Sequence, residues 1–236
     1  MKLLGIDLES TGLDVRGDRM IEVGAVLWDT DRKVALRVYS EFVDPMIPIP
    51  EPITAITGIT DDMVQEYGVS EGEARGEIER LIDQADYMVA HFGNLFDRPF
   101  LVGAYARQMS LAPTIEWIDT AVDIVFAERI KTRNLLHLAA EHGFLPGHSH
   151  RAVFDVMTML RILGYYDLDV VIDRSKEPMV FLEACVSFEE KEKAKERGYR
   201  WCPPKKVWWR ALKQGDAMVE RSQCGFSTKI LPEAPE

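Results

Sequence analysis

The chain has 236 residues, 47% hydrophobic and 28% charged, with a formal net charge of −11. That is the composition of an ordinary folded protein, and it argues against disorder and against a protein that coats nucleic acid indiscriminately. No apolar run approaches the roughly 20 residues of a membrane helix, "MKLLGIDLES" turns polar too early for a signal peptide, and Cys185, Cys202 and Cys224 form no CxxC pair, so a cytoplasmic protein with free thiols and no membrane association is expected.

In chain order, "KLLGIDLE" (2–9) reads as a buried strand, followed by turn chemistry in "STGLD". "MIEVGAVLW" (20–28) and "VALRVYSEFV" (34–43) are the next two strands, while "DPMIPIPEP" (44–52) has too many prolines for anything but a surface loop. Thr60 is placed to cap a short helix and Ser70 a longer one that turns Ile78, Leu81 and Ile82 to one side. "DYMVAH" (86–91) is a further strand, and "RPFLVGAYARQM" a helix with Pro99 in its first turn. Helices are also expected over 119–128, 134–142 and 151–166. Strands first, then strands mixed with helices, imply an α/β domain with a mixed sheet and helices packed on it.

The charge is unevenly spread. Residues 176–236 hold 12 Lys and Arg against 10 Asp and Glu, which leaves −13 on the first 175 residues. The balance flips near "DRSKEP" (173–178), so the domains are expected at 1–174 and 178–231. In the second, Ser187 and Glu190 have capping-box spacing, Gly198 stops the helix, and "YRWCPPKKVWWR" reads as a hairpin turning at 203–206. Trp201, Trp208 and Trp209 form the core of a small domain, or else they stack on bases while Lys205, Lys206 and Arg210 meet phosphates. A protein partner for this module is the other option.

Acidic side chains stand at the ends of several elements. Asp7 and Glu9, two apart on a strand, emerge on one face and repel unless a cation lies between them. Asp97 opens a helix, where it is a cap or a ligand. Asp155 lies in the first turns of an amphipathic helix carrying Val153, Val156, Leu160 and Leu163, where an unpaired carboxylate would be costly. Such carboxylates suit hard divalent cations. His137, His142, His148 and His150 fit no standard zinc spacing.

Taken in order, "DLE", "FDRPF" and "HRAVFD" resemble the three motifs of the DEDDh branch of the DnaQ-like 3′–5′ exonucleases. "GIDLESTGL", "MIEVGAV", "ITGIT" and "IDT" (118–120) fall where that family has landmarks. The resemblance covers about residues 1–170 and implies an RNase H-like fold. It also implies two divalent cations, Mg²⁺ or Mn²⁺, held by Asp7, Glu9, Asp97 and Asp155, with His150 as the base that takes a proton from water. The implied partner is nucleic acid with a free 3′ end, DNA before RNA. Candidate substrate contacts are Thr11, Gly12, Leu13, Phe96 and His148, together with Arg133 from a cationic span that includes Arg129, Lys131 and Arg151. One departure is visible: many relatives have Asn directly after the histidine of the second motif, where "HFGNLFD" has Phe92. The "KAKERGYRW…KKVWW" pattern resembles a small module appended to some plasmid primases.

Overall fold

The computed structural model describes residues 1–235 apart from Gln108, Ser110, Leu111, Lys131 and Ser149. It divides into two compact units, Met1–Ser175 and Lys176–Glu236. Lys131, one of the cations expected near the substrate, lies outside the described residues.

The first unit is built on a five-stranded mixed sheet. Strands β1 (Lys2–Ser10), β2 (Met20–Asp29) and β3 (Val34–Phe42) form an antiparallel meander. Helices α1 (Glu51–Thr57), α2 (Asp61–Tyr67) and α3 (Glu71–Ile82) then lead to β4 (Tyr87–Ala90), which pairs parallel with β1. Helix α4 (Asp97–Arg107) precedes β5 (Trp117–Asp119), parallel to β4, so the order is β3-β2-β1-β4-β5. Helices α5 (Leu135–Glu141), α6 (Ala152–Leu163) and α7 (Leu168–Ser175) complete the unit.

Strand periodicity sorts β1 between two helical layers. Leu4, Ile6 and Leu8 share a core with α3 and α4, through Ile78, Leu81, Phe100 and Tyr105. Leu3, on the other face, packs with Val156, Met159 and Leu160 of α6. Gly5, Asp7 and Glu9 follow Leu3 at two-residue steps, so the two carboxylates arise on the face that α6 covers. Parallel β4 follows a crossover through the α1–α3 layer, and this mixed sheet between helical layers is an RNase H-like fold.

Three expectations are corrected. The 119–128 helix is absent: Asp119 ends β5, and its N–H donates to Asp123 Oδ2 (2.7 Å) while its own carboxylate takes the Ala121 N–H (3.1 Å). Aspartates that satisfy nearby backbone in this way compete with helix. The proline-rich loop gives way to α1 one residue before Pro52, because proline is tolerated in a helix's first turn. Ser187 and Glu190 form no capping box; α8 (Lys191–Glu196) starts later, and the Glu190 carboxylate is engaged by Lys193 Nζ at 2.6 Å.

The second unit is an antiparallel four-stranded sheet, β7-β8-β6-β9, made of β6 (Met179–Cys185), β7 (Arg200–Cys202), β8 (Val207–Lys213) and β9 (Ser227–Leu231). Helices α8 and α9 (Gln214–Gln223) give Ala194 and Ala217 to a core with Leu182, Ala184, Leu212 and Tyr199. The hairpin turns between Cys202 and Val207. Gly198 follows α8 with φ +80°, a conformation that suits a residue without Cβ.

Candidate active site

Two glycines let α6 come down on the sheet. A Cβ on Gly5 would stand 2.7 Å from Val156 Cγ1, and one on Gly24, the cross-strand partner of Asp7, only 2.3 Å from Val153 N. The first turn of α6 therefore rests against backbone beside Asp7. Asp155, in that turn, meets Asp7 and Glu9 so closely that one oxygen from each of the three lies within 4.8 Å of the others.

Helix α6 has no side-chain cap of its own at Arg151. The cap comes from β2: Glu22, buried and paired across the sheet with Glu9, takes the Ala152 N–H on Oε2 (3.0 Å) and Arg151 Nε on Oε1 (2.9 Å). A carboxylate at a helix N-terminus is favoured by the orphan N–H groups and by the dipole. Asp155 Oδ2 in turn accepts the His150 N–H at 3.0 Å. His150, exposed and at φ +58°, is thereby held where the loop turns into the helix.

Asp97 arrives from the opposite layer. The β1–β4 ladder ends at Gly5, and the Leu8 N–H beyond it donates to Asp97 Oδ1 at 2.9 Å. The loop before Asp97 is fixed by Asp119, whose carboxylate accepts the N–H groups of Phe92 (2.9 Å) and Asn94 (3.2 Å). Phe92 sits at φ +60°, a left-handed conformation that asparagine adopts more readily than phenylalanine.

The electrostatics follow from burial and crowding. Desolvation, then Asp97, Glu9 and Asp155, hold the Asp7 carboxyl well above its usual range. Burial, with Glu22 and Asp155, pushes Glu9 up to about 7, although Arg151 opposes the shift. Burial pushes Asp97 up to about 8 despite the Leu8 N–H, and Asp119 to about 6 despite its three backbone donors. Burial raises Asp155 as well. Acids in this state are short of positive charge, and their oxygens are the hard donors that Mg²⁺ or Mn²⁺ prefers. The residues fit divalent cations, with Asp7, Glu9 and Asp155 as the grouped ligands and Asp97 beside them.

This sets a pH dependence. Between pH ~4, where these carboxyls titrate in an unfolded chain, and about 7 to 8 for Glu9 and Asp97, the native state binds more protons than the unfolded one. Stability contributed by these groups therefore falls as pH rises through that window. Thermal unfolding in EDTA is expected to show Tm falling from pH 5.5 to 8. Mg²⁺ at a hundredfold excess over Kd should restore roughly 5–10 °C at pH 8, and less at pH 5.5. A Tm in EDTA that climbs over that range, with no response to metal, contradicts the reading.

The other candidates divide. Thr11 is buried and bonds Asp18 Oδ1 (2.8 Å) and the Arg19 N–H (3.0 Å), and Gly12 leaves no room for a Cβ beside the Asp18 carboxylate; both shape the β1–β2 turn. Leu13 projects from that turn, 85% exposed. Phe96 packs on Phe100, with ring centres 4.7 Å apart, and His148 lies edge-on to Phe154. The cationic span is largely committed to internal partners: Arg133 donates to the Ile130 carbonyl and covers the Phe126 ring, Arg129 pairs with Glu141, and Arg151 with Glu22. In the second unit Trp208 packs against the core beside exposed Trp201, and Arg210 donates to the Arg197 carbonyl (2.7 Å) and pairs with Glu220. Lys205 and Lys206 are exposed in the hairpin turn, and Trp209 lies on the other face of the sheet. Sequence reading missed Glu22 and Asp119 as site residues; their only signal is that both fall inside landmarks, "MIEVGAV" and "IDT".

Residues 4–163 match the RNase T exonuclease family, and residues 180–228 match a domain of unknown function. Similar curated proteins are DNA polymerases III of PolC type. That of Mycoplasma genitalium is 30% identical over 165 residues, 68% of this chain and 11% of the polymerase, and that of Lacticaseibacillus paracasei is 35% identical over 153 residues, 63% and 10%. The chain thus spans about a tenth of the length of these relatives. Among solved structures, an E. coli exonuclease I–single-stranded DNA complex with zinc superimposes with a TM-score of 0.64 at 15% identity, covering 78% of this chain and 47% of that one. The nuclease domain of 3′hExo, a DEDDh family member bound to rAMP, gives 0.59 at 17% identity, covering 70% and 90%. The chain belongs to the RNase T exonuclease family, its first unit an exonuclease domain with an acidic cluster consistent with metal-dependent 3′–5′ hydrolysis.

Proposed function

We propose that the chain removes nucleoside monophosphates one at a time from the 3′ end of single-stranded DNA, in repair or proofreading. The observation that carries this reading is the convergence of Asp7, Glu9 and Asp155 beside buried Asp97, with His150 on the adjoining loop. The relatives point to DNA: the curated ones are DNA polymerases, and exonuclease I was solved with single-stranded DNA. Among the described residues no helix is long and apolar enough to cross a membrane.

Two divalent cations at such a site supply a water of lowered pKa and charge stabilisation for the leaving oxygen. Asp7, on the central strand, would hold the cations together with Glu9, Asp155 and the neighbouring Asp97. His150 accepts the proton of the attacking water, a general-base role open to an imidazole on the loop beside the carboxylates. Glu22 and Arg151 fix the helix start behind it, and Asp119 fixes the loop ahead of Asp97.

A second reading, RNA as substrate, draws on the likeness to the nuclease domain bound to rAMP. A panel of 5′-labelled single-stranded DNA, duplex DNA, RNA and very short oligoribonucleotides in Mg²⁺ or Mn²⁺ decides. A ladder shortening from the 3′ end, fastest on single-stranded DNA, is expected. Faster loss of RNA moves the assignment to the second reading. Intact substrates in both metals overturn both, leaving a binding homologue without catalysis.

A further inference from the structure

Arg151, next to the carboxylate cluster, is paired with Glu22, and residues 1–175 carry −13. A polyanion must find its positive counterpart elsewhere, and residues 176–236 are the part of the chain with excess Lys and Arg.

The strand registers show where. Leu182, Ala184 and Leu212 turn to the core with α8 and α9. The opposite face begins with the row Leu231, Phe181 and Ala211. Next to it runs the row Lys229, Glu183, Trp209 and Arg200, read across β9, β6, β8 and β7. Phe181 and Trp209 are partly exposed neighbours, with ring centres 6.1 Å apart. The Arg200 guanidinium lies 5.4 Å from the centre of the Trp209 ring, and Arg200 and Lys229 are both exposed. Neither helix of the unit contributes to this face, whereas Trp208 sits on the helix side. Glu183, the acidic member of the row, stands directly opposite Lys229, which offsets its charge.

Two adjacent rings between two outward cations are the parts of a sequence-tolerant single-strand site: rings for base faces, cations for the flanking phosphates. We infer that the open face of the C-terminal sheet binds single-stranded nucleic acid through Phe181, Trp209, Arg200 and Lys229. This inference rests on the nuclease reading above for the identity of the strand. It assigns a function to the second unit that is separate from hydrolysis.

The test is fluorescence anisotropy of a labelled poly-dT of about 20 nucleotides with the full chain in EDTA, so that no hydrolysis is needed. Phe181→Ala/Trp209→Ala is expected to bind about 10- to 100-fold more weakly, as loss of two stacking rings predicts. Trp201→Ala, on the opposite face, should bind like the parent. Arg200→Glu/Lys229→Glu changes only exposed strand positions, so it decides the matter if the ring variant unfolds. It should weaken binding and flatten the log Kd against log salt slope by roughly 1–2. Glu183→Gln should tighten binding. Parent-like binding by folded ring and charge variants, or no binding by the parent, overturns the proposal and favours a protein partner for the face. Failure of the nuclease reading is a separate result, seen as no monophosphate release by the parent in metal.

Discussion

Asp7→Asn is expected to lower exonuclease turnover by about 10³-fold or more, the several kcal/mol that a divalent ligand set provides. The same substitution should raise Tm in EDTA. Asp7 is half-buried among Asp97, Glu9, Asp155 and Glu22, all of which penalise its charge. The isosteric amide removes that penalty, leaves Gly24 and α6 in place, and removes one carboxylate of the group. Activity and metal-free stability therefore move in opposite directions, and the metal-induced rise in Tm shrinks. A residue that merely held the fold together would lower both. Turnover assays beside EDTA and Mg²⁺ melting curves make the distinction, and near-normal turnover by a folded Asp7→Asn chain refutes the assignment.

The second large effect is expected at His150. The backbone there is left-handed, and its N–H is held by Asp155. Alanine would confuse loss of the imidazole with strain in the loop. Asparagine tolerates that conformation, so His150→Asn isolates the chemistry. Loss of a general base costs typically 10²–10⁴-fold in rate, and a kcat decrease in that range is expected with KM and the Mg²⁺ stabilisation kept. Unchanged kcat removes His150 from proton transfer. A lost metal response instead assigns it to holding the helix start.

Much of this site was open to reading because its parts are local. Asp7 and Glu9 follow from the two-residue period of β1, and Asp155 from the apolar stripe of α6. What period and motif do not encode is long-range pairing. Glu22 caps a helix 130 residues away, and Asp119 reaches back across the β4–β5 edge to the loop before Asp97. Either looks like an ordinary strand residue in sequence. The same limit governs the tryptophans: Trp208 and Trp209 are adjacent, and only the register with β6 shows that one enters the core while the other faces outward. The expected 119–128 helix failed because Asp119 and Asp123 spend their carboxylates on backbone N–H groups. Phe92 takes a left-handed backbone angle that no periodicity in the sequence announces.

Gly24 has no side chain to offer, yet it sets the gap across which Asp155 meets Asp7. With Val153 N 2.3 Å from where a methyl would stand, any larger residue must lift the first turn of α6 off the sheet. Metal affinity is thus partly written in the thickness of the backbone, and a tolerance map of this nuclease should show an intolerant position where there is no functional group to lose.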